Sequence, residues 1–260
     1  MKELTKNLTL AAALTFAMAT LGASLARADD AKPEAKPDNE VSYNVAIVSD
    51  YRYRGISQSR LDPALQGGAD YTHNPTGLYA GTWLSTIHWI KDDGGSDNVE
   101  WDIYGGKRGE IVKDVSYDVG VLTYVYPSND LSHVAGFANA NTTEIYGQLG
   151  YGPAYVKYSL ALTNLFGTPD SKNSGYLDLG ANIDLSQGWT GNLHAGRQNV
   201  RNNGIASYTD WKVGVTKDFG FVTGALAVIG TNADKTFYMS PENQKFLGKT
   251  ALVLNITKTF

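Results

Sequence analysis

The chain has no cysteine among its 260 residues. That excludes a disulfide framework, a thiolate metal site and a cysteine nucleophile. Positive charge is also scarce: 22 Lys and Arg stand against 26 Asp and Glu. With no basic stripe to neutralise phosphates, nucleic acid is excluded as a partner. Long apolar runs are missing after the first thirty residues, and mean hydropathy is mildly negative. An inner-membrane helical protein, which needs runs of about twenty apolar residues, is therefore excluded. Segments with helical periodicity and solenoid repeats are absent too.

What is present begins with an export signal. Lys2 and Lys6 form a short basic region, the stretch 8–25 carries no charge, and Ala26-Arg27-Ala28 puts small residues at the positions a signal peptidase reads. Residues 1–28 are expected to be a cleaved signal peptide. Residues 29–40, rich in Lys, Pro, Asp and Glu, are expected to be a disordered periplasmic leader.

From Val41 to Phe260 the dominant signal is period two. Over residues 41–54 one parity carries Val41, Tyr43, Val45, Ile47, Tyr51 and Tyr53, and the other carries Asn44, Asp50, Arg52 and Arg54. Fourteen residues exceed the globular norm of about five to six and suit a tilted membrane strand. Similar alternation recurs along the chain, for example in Val115, Tyr117, Val119 and Val121, and in Leu177, Leu179, Ala181 and Ile183. Twelve such segments predict an all-β fold: an antiparallel up-and-down transmembrane β-barrel over residues 41–260, with both termini periplasmic. Gly 28 and Tyr 16 are high for a soluble domain of this length.

Loop lengths test this independently, because barrels of this kind have short periplasmic turns and longer outer loops. The short connections expected are 73–77, 107–114, 152–153, 186–188 and 217–220. Between them fall 56–62, 88–98, 127–142, 164–174, 199–207 and 232–248. A soluble sandwich has no reason to sort its loops in this way. Tyr43, Tyr51, Tyr53, Tyr71, Tyr151, Trp189, Trp211 and Phe260 are expected to form interfacial girdles. The terminal strand, Ala251-Leu-Val-Leu-Asn-Ile-Thr-Lys-Thr-Phe260, is of the kind barrel-insertion machinery recognises by strand addition. The expected location is the outer membrane of a Gram-negative bacterium, with lipid and lipopolysaccharide around the wall.

The parity places Asp50, Arg52, Arg54, Asp70, Glu100, Asp102, Asp118 and Glu144 in the lumen. Asp50, Arg52 and Arg54 are expected to lie opposite Gln66, Gly68 and Asp70. Two readings are open for that group. It forms a constriction whose guanidinium forks meet a carboxylate or sugar acid, or a ladder of Arg–Asp pairs that locks the register. The candidate lumen residues are Asp50, Arg52, Arg54, Gln66, Asp70, Glu100 and Asp102. Excess acid in the wall predicts a mild cation preference.

No Gly-x-Ser-x-Gly elbow or His-Glu-x-x-His is present, and the four histidines read as solvated or satisfied. A non-enzyme without cofactor or metal site is expected. The acidic stretch 92–97 lacks the ligand spacing of a calcium loop and reads as a solvated loop.

The residues Val48-Ser-Asp-Tyr-Arg-Tyr-Arg-Gly-Ile-Ser-Gln-Ser59, Pro63-Ala-Leu-Gln-Gly-Gly-Ala-Asp-Tyr-Thr-His73 and Leu78-Tyr-Ala-Gly-Thr-Trp83 resemble the TorF-type family of outer-membrane porins, long catalogued as conserved bacterial proteins of unknown function. The remainder matches in length, alternation and terminal Phe. The resemblance implies an outer-membrane barrel with a pore role and carries no catalytic motif. A narrow porin for passive diffusion of small hydrophilic solutes is therefore expected, with a non-conducting receptor, adhesin or envelope-structural barrel as the alternative and a membrane-embedded lipid enzyme as a third reading.

Overall fold

The computed structural model describes residues 37–260. The expected signal peptide and most of the leader lie outside the described residues. The first strand, β1 (Asn39–Val48), starts two residues before the expected position. It is followed by two short strands, β2 (Arg52–Tyr53) and β3 (Ile56–Ser57), and then by β4 (Ala64–His73) and β5 (Leu78–Thr86). A single helical turn, α1 (Trp89–Asp92), precedes β6 (Val99–Val112), β7 (Val115–Val125), β8 (Thr142–Tyr151) and β9 (Ala154–Ala161). The chain ends with β10 (Gly175–Ser186), β11 (Trp189–Asn199), β12 (Tyr208–Asp218), β13 (Thr223–Thr231) and β14 (Ala251–Thr259).

Twelve of these strands form one closed antiparallel barrel in which β1 pairs with both β4 and β14. Closure satisfies the backbone groups that an open sheet would expose to lipid. At the seam the terminal residue takes part: the Phe260 N–H donates to Tyr43 O at 2.9 Å. Among the described residues, all the short turns lie at one end, with both chain ends, and the long connections lie at the other. One short turn differs from expectation. β6 runs on to Val112, so the turn is 113–114 rather than 107–114.

The outer wall is apolar because its parity is. Ile47, Leu84, Ile103, Leu179, Val213 and Leu226 all face outward and are exposed. Tyr43, Tyr71, Tyr151, Trp189, Trp211 and Phe260 are exposed as expected of girdles. Leu226 sits mid-strand between Val215 and Leu254. Leu226→Arg is expected to cost about 2–4 kcal/mol of folding free energy in lipid. Denaturant unfolding in vesicles checks this, and an unchanged midpoint would show that this face is not lipid-facing.

The inner wall explains the surplus of Gly and Tyr. Tyr104 lies against Gly81, Tyr79 against Gly106, Tyr146 against Gly120, Tyr155 against Gly180, and Tyr176 against Gly196. A methyl group at any of these glycines would collide with the facing ring. Tyrosines thus lie across neighbouring strands and fill much of the lumen, while their hydroxyls reach acids: Tyr79 to Asp118 at 2.6 Å and Tyr104 to Asp70 at 2.5 Å.

Candidate functional site: the lumen and its septum

β1 stops at Val48, and the chain then leaves the wall. This corrects the fourteen-residue strand predicted over 41–54. Residues 49–63 fold back into the barrel mouth around the β2–β3 ribbon, which pairs Arg52 with Ser57 and Tyr53 with Ile56. Its turn residues both have positive φ, 45° at Arg54 and 80° at Gly55. That is the handedness a two-residue hairpin turn requires. Gly55 also has no room for a side chain, since a Cβ would overlap Thr231 on β13 and Asp210 on β12. Arg54 accepts a conformation that costs an L-residue about 1–2 kcal/mol, offset by what its guanidinium reaches.

Arg54 Nη2 donates to Glu144 Oε2 on β8 and Nη1 to Gln198 Oε1 on β11, each at 2.7 Å. The guanidinium lies 4.2 Å from the Tyr176 ring centroid. Tyr53 and Tyr124 share a hydrogen bond of 2.5 Å between their hydroxyls. The ribbon is therefore fastened across the lumen to three or more strands. Arg52 is buried and fastens it upward. It donates to Asp50 Oδ2 at 2.6 Å and to the carbonyls of Gly55, Leu247 and Lys249 at 2.9–3.0 Å. The last two belong to the final long loop. A second tie is the ion pair of Arg60 with Asp92 at the end of α1.

Two cavities result. The outer one, of about 330 Å³, opens among the long loops, and the inner one, of about 70 Å³, lies in the barrel. Tyr53 and Arg54 line both, so they form the septum between them. The outer cavity is rich in aromatic groups, including Trp89, Phe166 and Tyr208, beside the acid Asp93. Burial, and then the adjacent Asp92, pushes the Asp93 carboxyl up to about 6. The inner cavity is lined by ionisable side chains, Glu144, Lys157, Asp178 and Lys212 among them, set between tyrosine rings. Below the septum, His194 joins two acids, with Nδ1 at 2.8 Å from Asp178 and Nε2 at 2.6 Å from Asp210.

The predicted residues separate. Asp50, Arg52 and Arg54 do not face Gln66, Gly68 and Asp70, whose partners on β1 are Ala46, Asn44 and Ser42. Neither reading of that group holds as drawn, because the three residues lie on the inward ribbon and not on a wall strand. Asp50 instead pairs with Arg52 and accepts from Ser57 Oγ at 2.6 Å. Gln66 donates to Ser85 Oγ at 3.2 Å. Asp70 is occupied by Tyr104. Glu100 is buried and accepts from the Tyr51 hydroxyl at 2.5 Å and the Tyr126 hydroxyl at 2.7 Å. Asp102 lines the inner cavity. Tyr51 and Tyr53, expected in a lipid girdle, are lumen residues. Gln198, Tyr176 and the carbonyls at 247 and 249 were not legible as partners. The loop acid Asp97 is not solvated: it is buried and accepts the backbone N–H groups of Asn98, Val99 and Ser128.

A family model described as "Bacterial protein of unknown function (Gcw_chp)" matches residues 32–260. The chain belongs to this family. No curated protein matches its sequence. Among solved structures it is similar to one described as "KdgM porin", with a TM-score of 0.52 and 7% identity over 85% of this chain and 98% of that one. It is also aligned with LpxR from Salmonella typhimurium, at a TM-score of 0.41 and 11% identity over 84% and 99% of the two chains. A mutant porin of Rh. blastica gives 0.36 and 10% identity over 75% and 55%. At these identities the first likeness shows the fold, an outer-membrane-type barrel, and the other two carry no argument.

Proposed function

We propose that this Gcw_chp barrel is an outer-membrane channel for passive diffusion of small hydrophilic solutes and ions, with passage set at the Tyr53–Arg54 septum. The observation that carries this is the polar build of that septum. A wall facing lipid needs no ionisable interior, yet Glu144, Asp178, Lys157, His194 and Asp210 surround the cavity beneath the ribbon. Such groups are costly without water or partners. The ribbon is held by ion pairs and hydrogen bonds, which exchange with water, as well as by the packing of Tyr53 on Tyr124 and Phe166. The resemblance to TorF-type porins and the shared fold with a porin support the same reading, as does the expected export signal. Both His194 ring nitrogens are committed to acids, which favours a non-enzyme. The exposed Phe260 on the terminal strand suits recognition by the insertion machinery.

The second reading, a non-conducting receptor or structural barrel, draws on the same septum, since the inner cavity is small. Swelling of proteoliposomes separates the two. The channel predicts swelling with glycine or glycerol and little with a disaccharide. Rates equal to protein-free vesicles would favour the silent barrel. Reversal potentials in a salt gradient are expected to show a mild cation preference, and a clear anion preference would contradict it.

A further inference from the structure

Asp102 is the most anomalous group in the lumen. It is 1% exposed, and neither carboxylate oxygen has a hydrogen-bond partner. Its neighbours in register are aromatic, Trp83 on β5 and Tyr124 on β7. The Tyr124 hydroxyl is turned to Tyr53 and, at 3.4 Å, to Glu144. Two more acids share its surroundings: Glu100, two residues back on the same face of β6, and Glu144, which lines the same cavity. Glu100 is satisfied by two tyrosines, whereas Glu144 Oε1 is also without a partner.

The cations lining the same cavity have partners other than Asp102, although Arg52 Nη2 is itself buried without one. Arg54 holds Glu144 and Gln198, Arg52 holds Asp50, and the Lys157 ammonium sits 4.0 Å from the centroid of Tyr146. Lys212 pairs in register with His194, which bonds Asp178 and Asp210. A carboxylate buried beside two others, with no donor, is strongly unfavourable unless something neutralises it. A proton shared with Glu144, whose Oε1 is also open, would neutralise it too, but would give equal unfolding midpoints in salts of a small and of a bulky cation. The adjoining cavity has room for a small ion and a few waters, by the measure of roughly 10–15 Å³ per water. Among the described residues no three His, Cys, Asp or Glu side chains are grouped to hold a metal ion, which disfavours a divalent chelate.

We infer that Asp102 is a binding site for a small monovalent cation, of the size of sodium or potassium, directly below the septum. The flanking aromatic residues Trp83 and Tyr124 add electrostatically favourable surfaces for such an ion. The inference rests on the channel reading for how the ion arrives, because it must enter through a wet lumen. Occupancy at this position would concentrate cations on the inner side of the constriction.

The test uses the purified full-length barrel in detergent micelles. Its thermal unfolding is compared in potassium chloride and in N-methylglucamine chloride of equal concentration. A ligand that binds the folded state alone raises the midpoint, so potassium should give a midpoint about 2–4 °C higher than the bulky cation. In Asp102→Asn the difference should disappear. In Asp118→Asn, which alters an acid already bonded to Tyr79, it should persist. Equal midpoints for the wild type in the two salts would overturn the inference, as would a difference that survives in Asp102→Asn. If Asp102→Asn does not fold, Asp102→Glu is expected to keep a potassium response, and its loss there would count against the site. None of these readouts needs conduction. A barrel that is silent in liposomes but shows the Asp102-dependent response would fail the channel reading and keep the cation site.

Discussion

Replacing residues 50–61 by a short Gly-Ser bridge is expected to raise single-channel conductance about tenfold, because a twelve-stranded barrel without a plug leaves a lumen between those of filled eight-stranded barrels and open porins. The ribbon is the element whose removal merges the two cavities, since Tyr53 and Arg54 line both. The wall should survive the excision. β1 and β4 pair along their whole length, from Asn39–His73 to Val48–Ala64, without help from the ribbon. Planar-bilayer recordings in fixed salt check this. Conductance unchanged from wild type would mean that the ribbon does not limit passage.

Arg52→Ala is expected to unfasten the ribbon while leaving the barrel closed. The guanidinium is nearly inaccessible and has four acceptors: one carboxylate and three carbonyls drawn from two different loops. Breaking a buried pair on one side costs about 3–5 kcal/mol, since it leaves Asp50 without its cation. Local opening should become correspondingly more frequent, so amide protection across residues 52–58 is expected to fall by about two to four orders of magnitude. Amides of β7 and β8 should not change. Arg52→Lys is expected to rescue little, because a single ammonium cannot span that fork of acceptors. Hydrogen exchange read by mass spectrometry distinguishes these outcomes. Undiminished protection in the alanine variant would show that the loops hold the ribbon without Arg52.

Most of the wall was legible because its physics is local. Period two assigns each side chain to lipid or lumen, and closure forces every strand to pair. Loop parity then orients the barrel. The same rule misled at residues 49–54. The ribbon is itself extended, so its alternation continues that of β1 without a break, and Tyr51 and Tyr53 read as interfacial aromatics. The turn that reverses it, Arg54-Gly55, has glycine at one position but arginine at the other, and arginine seldom takes positive φ. Long-range partners select that conformation: Glu144, Gln198 and the carbonyls of Leu247 and Lys249 lie some 90 to nearly 200 residues away. Nothing in a local window announces them. The Gly and Tyr surplus was visible as composition, but its meaning as ring-on-glycine packing needed the register. Asp102 was assigned to the lumen by parity alone, whereas its lack of any partner is a property of its neighbours.

Thiol labelling reads the division of the barrel at Tyr53–Arg54, because the natural chain has no cysteine. Single cysteines are placed at Asn203, which lines the outer cavity, and at Ala227, which is buried on β13 and whose neighbours Leu226 and Val228 face outward. A bulky membrane-impermeant maleimide is added from the long-loop side of barrels in vesicles. The divided barrel predicts rapid labelling at 203 and labelling at least about tenfold slower at 227, with the two rates converging once residues 50–61 are excised. Equal rates at both positions with the ribbon intact would contradict it.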